Sequence, residues 1–240
     1  MILRLKPFYS FRNQRWRWIL LIVFLPLNSF SQTLTGISGL LNVPSAIMNA
    51  DGTFIAGGNY LPKINQPVFG YNTGNYYFNL TFLPFLEVSY KLTLLQTSEN
   101  INQDRSASFK LQVVKERPYF PAVAIGVHDV HTTSIGNGNQ FFEANYFVLS
   151  KGLALGKGSM GLTVGYGTDL IMKKSQFVGL FGGCSFSPAY LNQLKLIGEY
   201  DCHGINLGGS ILILKHLNLL LFAQHMSYLA GGLSYRVYLK

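Results

Sequence analysis

Phe85-Leu86-Glu87-Val88-Ser89-Tyr90-Lys91-Leu92-Thr93-Leu94-Leu95 alternates with period two. Leu86, Val88, Tyr90, Leu92 and Leu94 fall on one face, and Glu87, Ser89, Lys91 and Thr93 on the other. Successive side chains of a strand point to opposite faces, so this segment is a strand with one oily and one polar side. From Thr53 to Leu239 the pattern recurs in runs of about 8–11 residues, separated by turn-rich breaks. The expected strands lie near 53–61, 76–83, 85–95, 105–115, 121–129, 140–150, 159–168, 176–186, 193–201, 204–213, 216–224 and 230–239. Strands of about ten residues tilted near 45° cross a bilayer, and only a closed barrel does so without leaving backbone groups unpaired in lipid. The expected fold class is therefore all-β, an antiparallel transmembrane β-barrel of about 12 strands with both termini on the periplasmic side.

Composition supports the barrel over a secreted β-sandwich, which also shows many short alternating strands. Charged residues are only 12% of the 240, while aromatic residues reach 14%. A sandwich turns its outer faces to water, yet here they are neutral too, as in Tyr76-Tyr77-Phe78, Phe141-Phe142 and Leu217–Phe222. The net charge of +9 does not point to nucleic acid. Much of the basic excess sits in Arg4, Lys6, Arg12, Arg15 and Arg17, and no concentrated basic face follows.

That basic stretch, the apolar run Trp18–Leu27 and the small residues Ser29 and Ser31 have the layout of a secretory signal peptide. The run is too short for a membrane anchor, which needs about 20 apolar residues. The expected organisation is a signal peptide over 1–31 cleaved after Ser31, a Gly/Pro-containing lead-in or plug segment over 32–52, and a barrel over 53–240. Leu40, Leu41 and Val43 in the second part need burial, and the slim face of Ala122, Ala124 and Gly126 offers it inside the barrel. Export followed by strands points to the outer membrane of a Gram-negative cell, with its lipid as the surrounding partner. Cys184 and Cys202 are expected to be free thiols, placed more than about 20 Å apart by strand rise.

Few residues suggest chemistry. Glu87, Lys91, Lys110 and Glu143 lie in polar phase and are expected to face the lumen, as an ion-pair network or as contacts for sugars. His128 and Asp129 are adjacent and should face opposite sides of a strand, which denies them a common site. Neither they nor His131 and His203 show metal-ligand spacing, and no cofactor is expected. His225 and Ser227, two apart, are the only candidates for a lipid- or glycan-modifying enzyme, and the favoured reading is non-enzymatic. Gly156-Lys157-Gly158-Ser159 lacks the full phosphate-loop spacing and reads as a hairpin turn.

An ordered series of segments carries a resemblance. It comprises Gly39–Ala46 with Asn42, Pro44 and Ser45, Asp51-Gly52, Asn79–Tyr90 with Pro84 and Glu87, and Asp104-Arg105-Ser106. Pro121–Asp129 with Gly126, and Glu143–Lys151 with Ser150 and Lys151, complete it. The series resembles the YjbH family, in a short single-barrel version. The resemblance implies an outer-membrane barrel supporting exopolysaccharide or capsule production, export or surface assembly. It further implies exopolysaccharide and polysaccharide-export proteins as partners, and no catalytic residues.

Overall fold

A computed structural model describes residues 31–62, 72–96, 101–132, 142–171 and 175–239. The expected signal peptide lies outside them except for Ser31, as does most of the long breaks near 62–75 and 131–140. Strands β1 (Ser31–Gln32) and β2 (Ser38–Gly39) pair with each other, and Gly39 also bridges Pro44. The remaining strands are β3 (Thr53–Leu61), β4 (Asn72–Phe82), β5 (Leu86–Gln96), β6 (Ile101–Val114), β7 (Ala122–Thr132) and β8 (Ala144–Leu155), then β9 (Gly158–Thr168), β10 (Gly179–Pro188), β11 (Leu194–Tyr200), β12 (Ile205–Ile213), β13 (Leu217–Gln224) and β14 (Tyr228–Tyr238). Each pairs antiparallel with its sequence neighbours, and β14 returns to β3 with Tyr238 opposite Thr53, closing the barrel. The fold is the all-β, 12-strand antiparallel barrel that the alternation predicts.

Because the strands alternate in direction, the connections 83–85, 115–121, 156–157, 189–193 and 214–216 share one end with the start of β3 and the finish of β14. All of these are short. The opposite end carries the longer breaks, together with the tight turns 201–204 and 225–227. Two of the hairpins turn through consecutive residues with positive φ, Leu214-Lys215 and His225-Met226. Such mirror-image turns match the right-handed strand twist, though they usually employ Asn or Gly.

The two faces of β5 separate as the pattern predicts. Glu87, Ser89, Lys91 and Thr93 are buried, while Tyr90 on the other face is 46% exposed. Tyr76 and Phe78 on β4, Val164 and Tyr166 on β9, and Leu219 and Leu221 on β13 continue the exposed apolar outer surface. The interior holds many polar groups, the reverse of a soluble fold.

β7 departs from simple alternation. Ala107 on β6 pairs with His131 and Phe109 with Val127, so Ser108 faces a bulge that includes Asp129 at φ 53°. A bulge rotates the chain locally and re-aims its side chains. His128 and Asp129 therefore both turn inward and both are fully buried, correcting the expectation that they face opposite ways. β8 also begins later than expected, leaving Glu143 just before the strand, and runs on to Leu155.

Candidate functional site

The lumen is filled by the chain that precedes β3. Thr33 N–H donates to the Ile37 carbonyl (2.8 Å), Leu34 N–H to Leu41 (3.1 Å) and Leu40 N–H to Val43 (2.8 Å), folding the segment on itself. Gly36 turns with φ 82°, and a Cβ there would stand 2.5 Å from the Tyr77 ring, so glycine is required twice over. Leu34, Leu40, Leu41, Val43 and Ala46 join one buried cluster with the wall residues Ala122, Ala124, Val148, Phe181 and Phe222. The small side chains of β7 are what leave room for the apolar residues of this segment.

Polar groups of the wall grip its backbone. Glu87 and Lys110 lie opposite each other on β5 and β6 and form a 2.8 Å ion pair with no exposure of either side chain. Together they enclose Ser38. Glu87 Oε1 accepts from Ser38 N–H (2.7 Å), Oε2 accepts from Ser38 Oγ (2.6 Å), and Lys110 Nζ donates to the Ser38 carbonyl (2.9 Å). Asn79 Nδ2 also donates to Glu87 Oε1 (2.8 Å). A buried carboxylate is tolerated when it is paired and its lone pairs are occupied, as here.

Glu199 on β11 makes the second grip. Its carboxylate accepts from three successive backbone N–H groups, those of Leu41 (2.9 Å), Asn42 (2.7 Å) and Val43 (3.1 Å), and from Asn206 Nδ2 (2.9 Å). Asp201 in the following turn accepts from Asn42 Nδ2 (3.0 Å) and Asn206 Nδ2 (2.9 Å), and His225 Nε2 lies 3.4 Å from it. Burial disfavours the charge of Asp201. The hydrogen bonds from Asn206 and Asn42, with His225 and the His203 N–H, outweigh it and hold the carboxyl below its ordinary range. Ser150 Oγ accepts from Ala46 N–H (2.9 Å), and Gln112 Nε2 donates to the Ala46 carbonyl (2.7 Å). Asn59 and Ser89 donate to the carbonyls of Leu34 and Thr35. These contacts come from β3, β5, β6, β8 and β11, so the segment is tied to strands spaced around the wall.

A separate polar cluster lies on the side of the long breaks. Lys91 Nζ is 3.0 Å from Asp129 Oδ1 and 3.7 Å from the centre of the Phe142 ring. Ser106 Oγ donates to Asp129 Oδ1 (2.7 Å) and Phe142 N–H to Oδ2 (2.9 Å). His128 stands edge-on to Tyr146, 4.9 Å between ring centres, with Phe177 beyond it.

The remaining sequence-selected residues are dispersed. Glu143 and Asp104 are buried, Arg105 is exposed on the outer face, and Pro84 and Pro121 sit in short connections. Gly52 takes φ 75° where its N–H donates to Thr81. Asn42, Pro44 and Ser45 belong to the lumen segment, and Lys151 pairs with Glu116 outside it. His225 and Ser227 do not share a strand face. They occupy a tight turn in which Ser227 Oγ donates to the His225 carbonyl (3.0 Å) rather than to its ring. Gly156-Lys157-Gly158-Ser159 lies at the β8–β9 hairpin.

Cys184 and Cys202 are free. They stand closer than strand counting predicted, because Cys202 Sγ approaches the Leu180 carbonyl (3.5 Å), four residues from Cys184 along β10. That is roughly 13 Å at ordinary strand rise, still beyond disulfide reach. Among the described residues no group of three His, Cys, Asp or Glu side chains is placed to hold a metal ion.

Sequence reasoning did not single out Glu199, Asp201 or Asn206. Their signal was available as polar-phase residues on 193–201 and 204–213, but nothing in the alternation says which of them meet another segment.

The YjbH family model, described as an exopolysaccharide biosynthesis protein, matches residues 31–204. The match spans the lumen segment, its principal grips and most of the wall, and the chain belongs to this family. No curated protein matches it.

Proposed function

We propose that this YjbH-family chain is an outer-membrane barrel of a Gram-negative cell. In this reading it supports exopolysaccharide or capsule production, export or surface assembly as a plugged, non-enzymatic scaffold. The family and the barrel fold are consistent with a role in exopolysaccharide production. The observation that carries the membrane reading is the inversion of the faces. Tyr76, Phe78, Val164, Tyr166 and Leu221 are exposed outside while Glu87, Lys91, Lys110 and Glu199 are buried inside. Such an outer surface suits lipid and no aqueous compartment. A cleaved N-terminal signal would take the chain to that membrane.

The filled lumen argues against a standing conduit for polymer. A role beside polysaccharide-export proteins, at the surface or at the end bearing the short turns, fits a plugged barrel better. Deletion of the gene in its native host should lower surface polysaccharide, and the full chain should fractionate with outer membranes and shift in gel mobility on boiling. A soluble periplasmic protein with unchanged mobility would overturn the membrane reading. Unchanged polysaccharide in the deletion strain would overturn the rest.

A further inference from the structure

At the end bearing the short turns, β8, β9 and β10 stay paired past the start of β7. β7 pairs with β8 only as far as Ala122 opposite Ser150, yet β8 and β9 stay paired to Leu155 opposite Gly158. An arm therefore extends past the start of β7. The neighbouring connection 115–121 props it. Lys151 Nζ lies 3.1 Å from Glu116 Oε1 and donates to the Arg117 carbonyl, while Gly152 N–H donates to Glu116 Oε1 (2.8 Å). Arg117 and Phe120 exchange both backbone hydrogen bonds (2.9 and 3.1 Å), closing the tip.

The surface of this lip is of two kinds. Leu153 and Leu155 share the strand phase of the exposed Phe147, with Lys151, held by Glu116, between them and it, so the outer face becomes apolar again past the start of β7. Tyr119 at the tip is 99% exposed and Phe120 is 56% exposed. Lys115, Arg117 and Lys157 are exposed on the same two connections, and the one acid there, Glu116, is already engaged by Lys151. The connection 83–85 on the other flank is apolar without a basic residue. An apolar strip ending in aromatic and basic side chains has the order of a bilayer leaflet, with acyl chain, interface and phosphate in sequence.

We propose that this lip binds an anionic phospholipid of the leaflet at the short-turn end. The acyl chains would lie along Leu153 and Leu155, and the phosphate would be held by Lys115, Arg117 and Lys157. The inference rests on the reading of the chain as a membrane barrel and adds a lipid preference to it. An acidic protein would suit the basic residues, but it leaves the exposure of Leu153 and Leu155 on the outer face without purpose.

The test uses the full chain in nanodiscs of phosphatidylcholine, with or without phosphatidylglycerol, and native mass spectrometry of the lipids that stay bound after extraction. Phosphatidylglycerol should be retained selectively. The combined Lys115→Gln, Arg117→Gln, Lys157→Gln variant should lose about a hundredfold of that preference, the order expected for three interfacial basic contacts. Its boiling-dependent mobility in phosphatidylcholine should match the unsubstituted chain. Equal retention of both lipids, or undiminished preference in the variant, would overturn the lip while leaving the barrel standing. Loss of boiling-dependent mobility in every lipid would overturn both.

Discussion

Gly126 lies beneath the Tyr146 hydroxyl. A methyl group built at its Cβ would stand 2.2 Å from that oxygen, and Tyr146 is itself buried among Phe177, Phe181 and His128. Gly126→Ala should cost about 1–3 kcal/mol through overpacking, read as a lower midpoint for the boiling-dependent mobility shift. An unchanged midpoint would mean that the ring moves freely. On β5 two substitutions should part company. Leu92→Arg, on the outer face, should cost about 2–4 kcal/mol near the bilayer midplane. Ser89→Arg should leave the wall intact but expel the segment whose Thr35 carbonyl it holds, so its effect should appear as conductance rather than as lost folding. The sequence predicts which side each residue takes, and in a hydrated lumen arginine at Ser89 would be the milder of the two changes. Burial of Ser89 beneath the lumen segment removes that hydration.

At the scale of elements, the grips on residues 38–43 differ in what they can lose. Lys110→Met leaves the Glu87 carboxylate buried without its cation, a loss of about 3–5 kcal/mol. Adding Glu87→Gln should restore part of the stability, because an amide can still meet Ser38 and Asn79 without a charge to compensate. A double variant no better than Lys110→Met alone would show that the lysine acts through Ser38 and not through the ion pair. Glu199→Ala orphans three consecutive N–H groups and should cost upward of about 2 kcal/mol unless water enters, measured by the same midpoint. The alternation located most strands to within a few residues, because it records only which side faces outward. The β7 bulge, the late start of β8 and the β8–β9 arm follow from pairing between strands, which leaves no periodic trace. Glu199 leaves no such trace of its role, for the same reason. Its polar phase was legible, but its partner is a backbone more than a hundred residues away.

For the whole molecule the question is whether wall and lumen segment fold as one unit. The wall closes entirely through its own antiparallel ladders, and β3 to β14 needs no hydrogen bond from residues 31–50 to complete the circle. A barrel of 12 strands is wider than the eight-stranded kind that side chains alone can fill, so the interior calls for a filler. Leu40, Leu41 and Val43 supply it against Ala122, Ala124 and Phe222. Deleting residues 36–46 exposes that apolar patch to water and frees Glu199 and Glu87, yet both carboxylates then gain hydration and every ladder remains. The deletion should therefore keep its boiling-dependent mobility while raising single-channel conductance in planar bilayers and sensitivity to large antibiotics in cells. Glu199→Ala should move conductance in the same direction by less, because the grips at Ser38 and Ala46 persist. Should the deletion instead abolish the mobility shift, the segment is the template around which the wall closes, and the two fold only together.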